Sequence, residues 1–403
     1  MKKHLYLPVI ACISSLLLID CAKASTEKSS KNPVSLVNHN SGSLVDDNNR
    51  GKAYVALKEH QKAHANYTKV IELKSDDATA YYKRGVAYIA LNEYRKAIAE
   101  LTKAIKLQPD NASAYYERAW AYAKLKEYQK AIADDTKAIQ LQPNYVEAYY
   151  DRGYAYAHLE EYQKALADYT KAIEIQPDFA LAYADRGYVY TELKEYQKAL
   201  ADLTKAIQLQ PNYAQAYHYR GIAYSELKEY QKAIADFTKA IKLQPDFVEA
   251  YFIRGAAYYV LNDYQKALAD FTKIIKLQPN YALAYISRGN VYTELKEYRK
   301  ALADYTTTIK LQPDFAIAYN KRGIVYTELK DYRKALADYT KAIKLQPDYA
   351  AAYYNRSVAY ANLKQYQKAI ADSQKAAQLS YQQGDMEGYK IAQDLLRQLQ
   401  SNR

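Results

Sequence analysis

The chain has 403 residues, of which 25% are charged and 13% aromatic, with 47 tyrosines, one tryptophan and a formal charge of +12. Both cysteines, Cys12 and Cys21, fall near the N-terminus, so the rest of the chain excludes a disulfide framework and thiol chemistry. The basic balance invites a nucleic-acid reading, but the lysines recur singly at Lys96, Lys130 and Lys164, and again at Lys103, Lys137 and Lys171. A dispersed lattice of that kind is a solubility surface rather than a nucleic-acid patch, so no nucleic-acid partner is expected.

The first residues combine a basic start (Lys2, Lys3) with an apolar run from Leu5 to Ile19 and a small-x-small site at Ala22-Lys23-Ala24. This reads as a signal peptide over 1–24 and predicts an exported chain, periplasmic or extracellular, with Ser25 its first mature residue. The apolar run is too short for a transmembrane helix. Lipidation at Cys21 is the alternative, with Asp20 standing where such signals carry a small residue. Residues 25–45 are rich in Ser, Asn, Lys and Asp without periodicity and read as a flexible linker.

Eight of the ten prolines follow at a fixed step of thirty-four: Pro109, Pro143, Pro177, Pro211, Pro245, Pro279, Pro313 and Pro347. Self-similarity at that period marks a solenoid of stacked supersecondary units. Nine units begin at Ala78, Ala112, Val146, Ala180, Ala214, Val248, Ala282, Ala316 and Ala350, filling 78–383. Within Ala214–Phe247, Tyr217, Gly221, Tyr224 and Leu227 fall at helical spacing, as do Tyr230, Ala233, Ile234, Phe237, Ala240 and Ile241. Each unit is therefore two amphipathic helices with a polar turn between them, and the proline stops the second helix. The Asp or Asn after each proline suits the N-cap region of the next helix. A degenerate copy over 46–77 precedes the array, and 384–403 reads as a C-terminal capping helix, Met386 to Leu399.

This pattern resembles the tetratricopeptide repeat, on Tyr217, Gly221, Tyr224, Tyr230, Ala233, Phe237, Ala240 and Pro245. The resemblance implies an all-α right-handed superhelix in which first helices line a concave groove and second helices form the convex face. It also implies a non-enzymatic scaffold for protein partners. One departure is systematic: the seventh place, usually Leu in that family, is Arg in all nine units, from Arg84 to Arg356. An acidic residue recurs at the twenty-third place, from Glu100 to Asp372, and the two are expected to pair, because an arginine near a packing seam needs an anion.

No catalytic residue, cofactor or metal is expected. His60 and His64 have ligand spacing, but in HQKAH no Glu follows the first His as it does in zinc proteases. Recurrent aspartates such as Asp236, between Lys232 and Lys239, read as solvated surface pairs.

Specificity is sought where the units differ. Second helices are near copies, whereas the second, fifth and ninth places of the first helices vary along one helical stripe. The resemblance puts that stripe on the groove. The expected partner-binding residues are Tyr116, Trp120, Tyr150, Tyr154, Tyr188, His218 and Phe252, with Glu147, Asp151 and Asp185 favouring a basic partner segment. Some family members grip a carboxylate terminus with Lys and Asn at these places; here no Lys occupies them, and at the ninth place only Asn290 matches. The alternative is an envelope module binding anionic cell-wall or lipid polymers through the convex lysines.

Overall fold

A computed structural model describes residues 59–401. The signal peptide, the linker and the first part of the degenerate copy lie outside the described residues, as do Cys12 and Cys21. Among the described residues the secondary structure is helical throughout, in two compact blocks, 59–227 and 228–401.

The N-terminal block contains α1 (His60–Leu73), α2 (Ala78–Ala90), α3 (Tyr94–Leu107), α4 (Ala112–Lys124), α5 (Tyr128–Leu141), α6 (Val146–His158), α7 (Tyr162–Ile175), α8 (Ala180–Glu192), α9 (Tyr196–Leu209) and α10 (Ala214–Glu226). The C-terminal block contains α11 (Tyr230–Leu243), α12 (Val248–Val260), α13 (Tyr264–Leu277), α14 (Ala282–Glu294), α15 (Tyr298–Leu311), α16 (Ala316–Glu328), α17 (Tyr332–Leu345), α18 (Ala350–Asn362), α19 (Tyr366–Gln382) and α20 (Met386–Ser401). Within each block consecutive helices pack against each other, and consecutive first helices also touch directly, α4 with α6 and α6 with α8. First helices therefore form a continuous layer within each block.

Small residues make that packing possible. Ala114, Ala131, Ala138, Ala148 and Ala165 have essentially no exposed surface, and their equivalents recur along the chain. The eighth and twenty-fourth places are matched in size. A Cβ added to Gly153 would lie 2.9 Å from the Tyr169 ring, and one added to Gly323 would lie 2.6 Å from Tyr339. Where the twenty-fourth residue is small, Asp135 or Ser373, the eighth is Ala119 or Ser357 instead of Gly. Gly323→Ala should therefore cost about 1–3 kcal/mol by overpacking, read as a lowered denaturation midpoint with unchanged slope.

Helix ends follow from local chemistry, with one correction. Eight second helices stop because the residue before proline is driven out of the helical region; Gln142 has φ −134° and ψ 91°. The Asp or Asn after proline does not cap the next helix in most repeats. The N-cap is the following residue, Tyr145, Phe179 or Tyr213, which makes no side-chain cap bond. Only Asp77 and Asn111 among the first-helix starts accept from backbone N–H groups, those of Ala80 and Ala114. Rings at that place pack sideways instead, with Tyr145 5.0 Å from Tyr116 and Phe179 5.0 Å from Tyr150.

Each first helix closes through a residue in the left-handed region that is never glycine. Asn92, Lys126, Glu160, Lys194 and their equivalents have φ near 60°. Lys126 N–H donates to Ala123 O and Glu127 N–H to Tyr122 O, satisfying the terminal carbonyls.

The expected arginine pairs are present. Arg152 donates from Nε and Nη2 to the two carboxylate oxygens of Asp168, both at 2.7 Å, and from Nη1 to Thr136 Oγ1 of the preceding repeat at 3.0 Å. The same bidentate clasp recurs for Arg118, Arg186, Arg254, Arg288, Arg322 and Arg356, while Arg84 holds Glu100 through one oxygen. The recurrent aspartates are therefore buried clasp partners and not solvated surface pairs.

Candidate aromatic and acidic face of the first helices

The first-helix layer of the N-terminal block carries the ninth-place aromatics on neighbouring helices: Trp120 on α4, Tyr154 on α6 and Tyr188 on α8, all half-buried. Trp120 meets Tyr94 edge to face at 5.9 Å, and Lys124 Nζ lies 4.6 Å from the indole centre. Tyr154 packs edge-on against His158 at 4.4 Å, and Tyr188 lies 4.9 Å from Tyr219. Glu147 is exposed at the start of α6.

The fifth place behaves differently from expectation. Phe252 is 2% exposed and belongs to the core of the C-terminal block, 5.8 Å from Phe271 and 6.0 Å from Tyr281. His218 is 5% exposed, and burial lowers its pKa to about 3, so its imidazole is neutral. Neither is a contact surface. The fifth residue points into the seam between one repeat and the next, where Ala184, Ile286 and Asn320 are also buried.

Polar residues in this seam lock adjacent repeats. Tyr150 donates to Asp185 Oδ2 at 2.6 Å, Tyr116 is hydrogen-bonded to Asp151, and Asn355 donates to Asn320 Oδ1 at 3.0 Å. Tyr116 and Tyr150 are half-buried and engaged in this way, so they contribute rigidity more than open area. The signal was legible: a hydroxyl or amide at the fifth place and a polar partner thirty-five residues later.

Burial raises the carboxylates here. It pushes Asp151 and Asp185 up to about 6, against the opposing effect of their tyrosine hydrogen bonds. Glu117 rises to about 7, first through burial and then through the charge of Asp151, with Lys83 opposing. Asp135, which sequence reasoning passed over, is raised well above the ordinary range by burial, with Asp151 and Asp134 adding to it. Its signal was an acid at the twenty-fourth place, where neighbouring repeats carry Leu101, Tyr169 and Leu203.

Second-helix lysines are exposed but engaged with their own helix starts. Lys130 pairs with Glu127 at 2.6 Å, Lys164 pairs with Glu161, and Lys232 pairs with Glu229. Lys130 and Lys164 also stand over the rings of Tyr122 and Tyr156. His64 lies 2.7 Å through Nε2 from the Tyr88 hydroxyl. No group of three or more His, Cys, Asp or Glu side chains suited to a metal occurs among the described residues. No helix among them is long and apolar enough to cross a membrane.

Models of the tetratricopeptide repeat match residues 146–179, 180–213, 214–247, 248–281 and 316–349, and also 82–146 and 338–371. A TPR repeat model matches 51–91 and 289–330. The chain belongs to the tetratricopeptide repeat family. Tetratricopeptide repeat proteins are generally non-catalytic scaffolds that bind protein or peptide partners.

Among solved structures the chain is similar to YrrB, a TPR protein with an unusual peptide-binding site. That likeness is at 27% identity over 46% of this chain and 95% of the other, with a TM-score of 0.42. It is similar to yeast Tom70 at 17% identity over 89% and 96%, with a TM-score of 0.44. It is also similar to a tetratricopeptide repeat protein from Parabacteroides merdae at 22% identity over 63% and 97%, with a TM-score of 0.45. No protein of curated function matches the chain.

Proposed function

We propose that this tetratricopeptide repeat protein is an exported, envelope-located scaffold that holds a partner segment carrying Lys or Arg on the first-helix face of its N-terminal block. The observation that carries the reading is the row Trp120, Tyr154 and Tyr188, half-buried at one register on three helices that touch in sequence. Aromatic side chains supply large contact area at low entropic cost, and binding hot spots concentrate on them. Rings seated on a rigid seam are preorganised, which lowers the ordering cost of binding. Glu147, Asp151 and Asp185 give the same face a negative character that steers basic partners toward it. The export part of the reading rests on the basic start, apolar run and Ala22-Lys23-Ala24 of the sequence.

Trp120→Ala combined with Tyr154→Ala should weaken partner capture from envelope extract by about 2 kcal/mol or more, with the melting temperature nearly unchanged. If capture survives that change and disappears when Lys164, Lys198 and Lys232 become Glu, the face has been misassigned and the second-helix lysines bind a polyanion. Their engagement with Glu161, Glu195 and Glu229 speaks against that outcome.

A further inference from the structure

We propose that the repeat spanning α4 and α5 is built to receive one cationic side chain, with Asp135 and Asp151 as its acceptors and Trp120 at its side. The inference rests on the partner-binding reading above and specifies what that face selects.

Asp135 replaces a core residue. The same place holds Leu101, Tyr169, Leu203, Phe271, Tyr305 and Tyr339 in other repeats, each against a glycine at the eighth place. Here the eighth residue is Ala119, so one methyl and one carboxylate stand where a glycine faces an aromatic ring or leucine elsewhere. An apolar residue would fill this site at no polar cost, as its neighbours do. The acid instead carries a desolvation penalty, opposed by the charge of Arg152.

One oxygen of each acid lacks a donor. Asp135 is 1% exposed and its Oδ1 has no hydrogen-bond partner. Asp151 Oδ2, on the next first helix, is likewise buried without a partner, although the carboxylate as a whole is hydrogen-bonded to Tyr116. Asp135 feels Asp151, Asp134 and Asp168 on one side and Arg152 on the other. Arg152 is committed: its three donor nitrogens hold Asp168 and Thr136. Asp151 also faces Lys124, Glu147 and Asp185, and Lys124 lies over the Trp120 ring. Glu117 faces Asp151 and Lys83. An incoming ammonium or guanidinium brings several donors and one charge to a place with two idle acceptors and an excess of acids.

The proton balance has a definite sign. Folded-state pKa values raised to about 6 for Asp151 and about 7 for Glu117 mean that the folded chain binds protons more tightly than the unfolded one. The free protein therefore loses stability as pH rises through that range. A bound cation stabilises the ionised acids, so its affinity rises over the same interval.

The test uses the full chain and two dye-labelled acetylated hexapeptides, Ala-Leu-Lys-Ala-Leu-Ala and its norleucine analogue, read by fluorescence anisotropy. The lysine peptide should bind at least ten-fold more tightly than the norleucine peptide, and several-fold more tightly at pH 7.5 than at pH 5.5. Asp135→Asn, which keeps the size beside Ala119, should abolish the preference for lysine, and Asp135→Leu should abolish it as well. Equal binding of the two peptides by the natural chain, or an undiminished lysine preference in both Asp135 variants, overturns the proposal. The Trp120→Ala, Tyr154→Ala double variant separates the two readings. If it loses both peptides while the Asp135 variants keep lysine preference, the partner-binding face stands and the cation receptor falls. If it keeps both peptides, the face itself is wrong.

Discussion

Arg186→Leu should cost about 3 kcal/mol of stability, although leucine is the residue usual in the family at that place. Arg186 donates to Asp202 through Nε at 2.7 Å and Nη2 at 2.9 Å, reaches Thr170 Oγ1 of the preceding repeat at 3.0 Å, and lies over the Tyr183 ring. Asp202 is only 8% exposed. Removing the arginine strands its carboxylate in a medium that solvates charge poorly, which costs more than the lost attraction itself. The companion change Asp202→Ala, placed on top of Arg186→Leu, should recover most of the loss, because the stranded charge is gone and leucine fills part of the space. A urea-denaturation cycle over the two single variants and the double measures this coupling. A single variant within about 0.5 kcal/mol of the natural chain would show that solvent carries the carboxylate and that the clasp contributes little.

Deleting residues 386–403 should unfold the last repeat ahead of the rest. Helix α20 buries Ala392, Leu396 and Leu399 against α19, and Ser373 Oγ donates to Ala392 O at 2.8 Å. Burial of the two leucines alone contributes about 4 kcal/mol, and in a linear array that contribution supports the adjoining repeat first. Hydrogen exchange should show Ala350–Gln382 losing protection while amides of α2 to α8 hold theirs. Unchanged protection of α18 and α19 after the deletion would mean that α20 does not act as a cap.

Much of this was legible because the fold is periodic. The 3.6-residue spacing of Tyr217, Gly221 and Tyr224 and the proline recurring every thirty-four residues specify helix pairs and their ends. An arginine and an acid recurring sixteen residues apart specify a clasp, since neither can sit near a helix seam alone. The places that were misread depend on a rotation of a few tens of degrees about one helix. The fifth and ninth residues share a stripe in projection, yet Phe252 and His218 turn into the seam while Trp120 and Tyr154 remain half-open. Variation at the fifth place reflects fit to the next repeat, as Tyr150 with Asp185 shows, and variation alone does not separate fit from recognition. The left-handed residues at Lys126 and Lys194 gave no signal, because lysine carries no preference for that conformation. Asp135 was visible as an exception, and its meaning emerged only once its Oδ1 proved to be buried without a hydrogen-bond partner.

The size matching of the eighth and twenty-fourth places bears on how such an array can change in length. Gly153 and Tyr169 lie in the same repeat, sixteen residues apart, as do Arg152 and Asp168. The bond from each arginine to the preceding repeat always meets a threonine, Thr136, Thr170 or an equivalent. Unequal crossing-over that inserts or removes whole thirty-four-residue blocks therefore preserves every one of these fits. A crossover inside a block does not: joining the first helix that carries Ala119 to the second helix that carries Tyr169 would drive a methyl group against a ring with no room for it. Gene duplication can thus lengthen or shorten the array in whole repeats, with only fifth-place pairs such as Tyr150 and Asp185 to be refitted at a joint, while the interior of each repeat is inherited as one piece.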